Sequence, residues 1–169
     1  LLPFSSAASS RIVEASDGAP SQIVGLLFGT ASSPMQLQRQ GTMQTLQLPP
    51  AEYPVLSVPI DCTLQTIVFT VSNSDVIEPL IDVFPCIFVA RARSGESRFT
   101  LLETSITYTA QPYRGGQVHP VQRIREGYGD ALSIALEAGD RLLIGGGVGC
   151  AADSSAQCAL LWGGSVLLV

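Results

Sequence analysis

The sequence predicts an all-β domain, and three observations lead to this fold class. Apolar residues come in short runs that are separated by Gly, Pro, Ser, Asn and Asp. Inside the runs, β-branched and aromatic residues dominate, as in the segment TIVFTV at 66–71. Sixteen glycines and eleven prolines are spread along the whole chain, where they would interrupt most helices. Many short strands are typical of a sandwich or a barrel, and a jelly roll fits their number.

Individual strands are predicted wherever an apolar run is bounded by turn residues. Polar and apolar residues alternate at 43–48 and again in the segment SITYT at 105–109, as expected for strands with one face in the core. Clear strands are predicted at 23–28, 64–71, 80–90, 99–108, 131–136, 141–144 and 158–169, and weaker ones at 43–48 and 55–58.

Helices and loops are predicted by the same criteria. The strongest helical candidate, 125–138, contains Gly127 and Gly129 and has no apolar stripe at helical spacing. It is therefore not predicted as a helix. The two most polar segments, 29–41 and 109–129, are predicted as loops.

The length and composition indicate one domain, covering residues 1–169, with an apolar surplus. Hydrophobic residues make up 46% of the chain and charged residues only 14%, well below the roughly 25% of an ordinary domain. No linker or internal repeat divides the chain. Two interpretations are open: a Gly-rich domain with a thick core, or a subunit whose missing charges reflect an apolar interface. We favour the subunit.

The charge pattern bears on partners. The net charge is −5, and all nine basic residues are arginines that form no basic stripe. Nucleic-acid binding is therefore not expected. No apolar stretch is long enough for a transmembrane helix, so no membrane span is predicted. The first six residues lack the basic start and long apolar run of a signal peptide.

The four cysteines, Cys62, Cys86, Cys150 and Cys158, form no C-x-x-C motif, so zinc and redox motifs are not predicted. Cys86 lies in an apolar run and is interpreted as a small buried hydrophobe. Cys150 and Cys158 flank an Asp-Ser-Ser turn and could face each other across a hairpin. Free thiols are the favoured interpretation for all four, with a Cys150–Cys158 disulfide as the alternative.

No catalytic constellation is recognisable, so an enzyme, a cofactor and a metal site are not predicted. The single histidine, His119, is interpreted as a polar loop residue because no nucleophile or orienting carboxylate accompanies it. The carboxylate pairs Asp75/Glu78 and Glu137/Asp140 are interpreted as solvated turn residues. The G-x-G-x-x-A match at 147–152 leaves no room for the helix of a dinucleotide site, so it is interpreted as a Gly-rich strand and turn.

Four short segments, in order, resemble a known family. They are LPFSS at 2–6, VGLLFGT at 24–30, PIDCTLQTI at 59–67 and LEAGDRLL at 136–143. Together they are similar to the C-terminal domain of collagen-like exosporium glycoproteins of spore-forming bacteria. Cys62 stands where the family pattern has glycine.

The resemblance implies a jelly roll like that of tumour necrosis factor, assembled as a homotrimer at the tip of a collagen-like filament. It implies a location on the spore surface, or otherwise on a cell surface or outside the cell. A collagen-like stalk is a three-chain helix that must be brought into register, and a trimeric domain at its end would supply that register. The implied partners are further copies of the chain and other spore-surface proteins.

Two sets of side chains are singled out within this framework. Aromatic residues are the expected anchors of the core or of a trimer interface, namely Phe88, Phe99, Tyr108 and Trp162. The alternative function is a head that binds a carbohydrate or a host surface protein through its loops. The residues of that candidate loop are Tyr113, Arg114, His119, Arg123 and Arg125.

Overall fold

The fold is all-β, as the sequence predicts. The computed structural model describes residues 1–6, 9–27, 29–40, 43–47 and 55–169. Within these ranges the only helical element is a short 3-10 turn, η1, at Glu103–Ser105. No helix there is long and apolar enough to cross a membrane. The strands are β1 (Leu2–Ser5), β2 (Arg11–Ser16), β3 (Ala19–Leu27), β4 (Thr30–Ala31), β5 (Met35–Gln36), β6 (Gln38–Gln40), β7 (Met43–Gln47), β8 (Leu56–Ser57), β9 (Cys62–Asn73), β10 (Phe84–Ala92), β11 (Arg98–Leu101), β12 (Thr107–Tyr108), β13 (Ile124–Gly129), β14 (Ile134–Leu136), β15 (Arg141–Gly149) and β16 (Ala156–Leu168).

The strands form two antiparallel sheets that are joined through β3. In the first sheet the order is β13–β9–β16–β2, with β1 also beside β16 and β14 also beside β9. In the second sheet the order is β15–β10–β11–β7–β6. The N-terminal half of β3 pairs with β2 and its C-terminal half pairs with β15. Strand β3 therefore carries the chain from one sheet into the other.

The main hydrophobic core lies between these two sheets. The first sheet contributes Val71 and Trp162, and the second contributes Ile87 and Ile144, all of them buried. Burial alternates along β9 and β16, as expected for strands with one face in a core and the other outside. The arrangement is that of an all-β sandwich.

A second hydrophobic core fills a small barrel on the far side of the second sheet. Strand β3 pairs with β5, and β5 is followed by β6 after the single residue Leu37. From β6 the strands pair in the order β7, β11, β10 and β15, and β15 pairs with β3 to complete the ring. Cross-strand neighbours share a face, and the pairs Ile23–Met35 and Leu46–Phe99 both belong to this second core. The prediction of a loop at 29–41 is therefore wrong for the described residues. Its short strands β5 and β6 form one wall of the barrel, and β4 pairs with the C-terminal end of β3.

The glycines of β15 are explained by the two cores. A Cβ added at Gly145 would lie 2.4 Å from the ring of Phe88 inside the barrel. A Cβ at Gly146, on the opposite face, would lie 3.1 Å from the ring of Trp162 in the main core. Strand β15 separates two bulky aromatic rings and has no room for side chains at these positions. The interpretation of this segment as a Gly-rich strand followed by a turn is confirmed.

Several predicted boundaries differ from the structure. The run at 80–90 begins too early because β10 starts at Phe84, and the run at 99–108 is divided by η1 between β11 and β12. The predicted loop at 109–129 ends in β13. The two glycines of β13 interrupt the alternation of polar and apolar residues by which a strand is predicted. Gly127 is required there because a Cβ would lie 2.1 Å from the ring of Phe69. The last residues of the predicted segments 23–28, 29–41 and 43–48 lie outside the described residues.

The four cysteines are all free thiols. The hairpin that would have brought Cys150 and Cys158 together does not form, because β15 and β16 lie in different sheets. Cys158 pairs instead with Val13 of β2, and the backbone N–H of Cys150 donates to the carbonyl oxygen of Gly18. Cys86 is fully buried, as predicted.

Burial of thiols makes the fold sensitive to alkaline pH. Desolvation raises the pKa of Cys158 to about 11 and that of Cys86 still further, from a usual value near 9. Because both folded pKa values lie above the unfolded one, the stabilisation is complete below about pH 9 and is lost as the pH rises. We expect the free energy of unfolding, measured with urea, to fall by about 2 kcal/mol or more between about pH 8 and about pH 10.5. The double variant Cys86→Ala/Cys158→Ala should show a clearly smaller fall, and an equal fall would contradict this origin.

Candidate functional site

The predicted ligand loop is brought together by the fold, but it is packed inward. Tyr113 is fully buried and His119 nearly so. The hydroxyl of Tyr113 donates to the carbonyl oxygen of Arg123 at 2.7 Å, and the rings of Tyr113 and His119 meet edge to face at 5.3 Å. His119 Nε2 lies 3.1 Å from the carbonyl oxygen of Arg114. Two of the five candidate loop residues are therefore not exposed to a ligand, and their side chains hold the loop together instead.

Arginine side chains of this loop divide into two kinds. The guanidinium of Arg125 lies 4.9 Å from the ring centre of Tyr113, and its Nε donates to the carbonyl oxygen of Pro112 at 2.9 Å. Partial burial lowers the pKa of Arg125. Arg114 and Arg123 are exposed. Of the five candidate recognition residues, only these two are exposed.

Asn73, which the sequence analysis did not single out, anchors the same loop. Its buried side-chain amide donates to the carbonyl oxygens of Asp75 at 2.7 Å and of Pro120 at 2.8 Å. Its Oδ1 accepts the backbone N–H of Arg123 at 2.8 Å. One side chain at the end of β9 thus ties the β9–β10 connection to the loop before β13. Neither hydropathy nor motif spacing marks such a residue, because its partners are backbone groups.

The interpretation of Asp140 as a solvated turn residue is also wrong. Asp140 is buried instead of solvated. Its Oδ2 accepts the backbone N–H of Glu137 at 3.0 Å and lies 3.5 Å from Arg93 Nη1 and 3.8 Å from Arg91 Nη1. Asp140 therefore closes the turn before β15 and is paired with two arginines. Among the described residues, no group of three or more His, Cys, Asp and Glu side chains has metal-binding proximity.

Three of the four predicted aromatic anchors are buried. Phe88 and Phe99 belong to the small barrel, and Trp162 belongs to the main core. Tyr108 is 41% exposed, so a core position is wrong for it. It pairs with Cys86 on the face of β10 that points away from the main core.

The most distinctive surface is the outward-facing part of the first sheet formed by β1, β9, β13 and the adjoining part of β16, which we call the outer face. Its side chains alternate with core residues along four strands and point away from the sandwich. One cross-strand row runs from Tyr128 through Val68 and Ser165 to Pro3. The outer face comprises Pro3 and Ser5 of β1, Val68, Thr70 and Ser72 of β9, Ile124, Glu126 and Tyr128 of β13, and Leu161, Gly163 and Ser165 of β16.

The outer face is almost uncharged. Among its eleven positions Glu126 is the only charged residue, and Glu14 of β2 lies next to the outer face on the same side of the first sheet. Val68, Ile124 and Tyr128 are 42%, 60% and 63% exposed. The middle of the outer face carries only small residues, namely Thr70, Ser72, Gly163 and Ser165. Another surface can therefore approach the backbone closely. A sheet face with so few charges matches the charge depletion at the centre of protein interfaces.

Comparison with known proteins gives no assignment: no family model, no curated protein and no solved structure matches this chain. The candidate site therefore rests on its own geometry.

Proposed function

We propose that the chain is a structural head domain that assembles as a homotrimer, at the C-terminal tip of a collagen-like filament on a bacterial spore surface. The collagen-like and spore-surface parts of the proposal rest on the resemblance of the segments at 2–6, 24–30, 59–67 and 136–143. The trimeric part rests in addition on the outer face. The function is mechanical, because the domain would hold three stalk chains in register.

The strand order supports a jelly roll as the underlying fold. Strands pair in a nested sequence, in which β2 lies beside β16, β3 beside β15, β9 beside β13 and β10 beside β11. Such nesting arises when one long antiparallel ribbon is rolled into two facing sheets, which is the jelly-roll arrangement. The small barrel is added on the outside of the second sheet and leaves this nesting intact.

The single observation that carries the proposal is the uncharged outer face. A chain with fourteen acidic and nine basic residues places one charge among the eleven positions of this face. Exposed apolar side chains on β9 and β13 are then covered if another copy packs against them. Burying them on assembly would contribute roughly 25 cal/mol for each Å² removed from water.

Light scattering after size exclusion tests the assembly. Across an about hundredfold dilution we expect a species of three times 17.8 kDa. The variant Val68→Lys should dissociate it, because a lysine in the middle of the outer face would be desolvated without a partner. Val76→Lys is the matched control, since Val76 is an exposed valine outside this face. A wild-type chain that stays at the single-chain mass would contradict the proposal.

A further inference from the structure

A groove lined by two exposed tyrosines lies at the β13 edge of the outer face. A single β-bridge joins Thr109 to Gly127, and the backbone N–H of Ala110 donates to the carbonyl oxygen of Glu126 at 2.9 Å. This antiparallel register places Tyr108 opposite Tyr128, so the two side chains lie on one face as cross-strand neighbours. Tyr108 therefore extends the row that runs through Tyr128 and Val68.

The groove has a volume of about 450 Å³ and is suited to a cation. It is lined by the two tyrosines, by Val68 and Thr70, and by Glu126. Among the described residues Glu126 has no ion pair, and its carboxylate is exposed. Tyrosine rings attract a cation through their negative faces, and a carboxylate beside them adds a formal charge. Burial raises the pKa of Tyr108 to about 12, so its hydroxyl stays neutral and available as a donor or acceptor.

The composition of the chain indicates which cation fits. All nine basic residues are arginines, and a planar guanidinium can stack on a tyrosine while it forms two hydrogen bonds to a carboxylate. The chain places an arginine over an aromatic ring twice internally, with Arg125 at 4.9 Å from the ring centre of Tyr113 and Arg141 at 5.5 Å from that of Phe99. In both cases an arginine lies on an aromatic ring within the distance at which the attraction is significant.

We infer that the groove formed by Tyr108, Glu126 and Tyr128 receives an arginine side chain from an adjacent copy of the chain. This inference rests on the proposed homotrimer, because the occupant is a second copy. Charge complementarity carries it: the one charge of the outer face is an unpaired carboxylate at its edge, and the chain has arginines to match it. Among the described residues, four exposed arginines have side chains with no recorded ion pair or hydrogen bond, namely Arg39, Arg98, Arg114 and Arg123.

A double-mutant cycle on assembly tests this pairing. The variant Glu126→Gln keeps the shape of the side chain and removes its charge, and we expect it to raise the dissociation constant of the assembly about tenfold. Of the four variants Arg39→Gln, Arg98→Gln, Arg114→Gln and Arg123→Gln, one should give a similar rise. Combined with Glu126→Gln, that variant should add little further, because both remove the same contact. Glu103→Gln, at an exposed glutamate outside the outer face, is the control.

A chemical probe gives a second readout. Millimolar N-acetylarginine amide should raise the dissociation constant of the wild-type assembly and leave that of Glu126→Gln unchanged. If the wild-type chain assembles but neither Glu126→Gln nor any arginine variant changes the dissociation constant, the groove inference is overturned and the trimer stands. If the wild-type chain is a monomer at every concentration, both proposals are overturned.

Discussion

Replacing Gly145 by alanine should destabilise the fold by about 2 kcal/mol or more. The new Cβ would lie 2.4 Å from two atoms of the Phe88 ring, inside a barrel that is already filled. Either the ring or the backbone of β15 must move, and β15 pairs with both β3 and β10. Urea unfolding at several protein concentrations measures the effect and separates it from any contribution of assembly.

The cause can be isolated with a compensating change and a matched control. The double variant Gly145→Ala/Phe88→Leu should recover part of the loss, because a smaller side chain leaves room for the methyl group. Gly163→Ala in β16 is the control: its Cβ would meet only Thr70 Oγ1 at 3.9 Å, and its backbone is not left-handed. A Gly145→Ala chain as stable as the Gly163→Ala chain would show that the barrel is not tightly packed around Phe88.

Replacing Asn73 by alanine is expected to have an effect of similar size, about 2–4 kcal/mol. The change leaves the backbone N–H of Arg123 and the carbonyl oxygens of Asp75 and Pro120 without their partner in a partly buried place. Thermal or urea unfolding measures the loss, and amide hydrogen exchange should show that protection falls first around Arg123.

The control for Asn73 is an amide of the same chemistry at the surface. The side chain of Gln47 donates to Ser97 Oγ at 3.2 Å in an exposed place. Gln47→Ala should change the free energy of unfolding by less than about 0.5 kcal/mol, because water replaces the lost partner. If Asn73→Ala were equally mild, the loop before β13 would be held by its other contacts, such as the hydroxyl of Tyr113.

The fold class could be predicted because it depends on local signals that the chain carries plainly. Strands β9, β15 and β16 have apolar or β-branched runs between turn residues, and such runs predict strands wherever they are then placed. The wall of the small barrel could not be predicted in this way. Strand β6 is Gln38–Gln40 and shows no apolar pattern; it is a strand because β7 pairs with it, which is a tertiary effect.

The burial of the loop before β13 could not be predicted for a related reason. A segment rich in Gly, Pro and polar residues is normally exposed, and no local feature distinguishes an exposed Tyr113 from a buried one. The burial of Tyr113 follows from Asn73, which is distant from it in sequence, and from His119, which is polar. Asp140 was misjudged in the same way, because the arginines that pair with it lie on β10 and on the turn that follows it.

The outer face was only partly predictable. The alternation of Val68, Thr70 and Ser72 with core residues is visible in the sequence. The rows that join them to Tyr128 and Ser165 depend on the register between strands that are far apart along the chain. An aromatic such as Tyr108 could be selected as important, but the side to which it points is set by that register.

The position of β16 has a consequence for how the domain is made. Among the described strands it comes latest along the sequence, yet it lies inside the first sheet, between β9 and β2, and β1 pairs with its C-terminal half. The first sheet is therefore completed only after these thirteen residues have been synthesised, and until then β9 and β2 have open edges. Folding that depends on pairing strands as distant in sequence as β1 and β16 is slow, in the range of milliseconds to seconds. A chain truncated before β16 could not close this sheet, so the topology couples the synthesis of β16 to a finished fold.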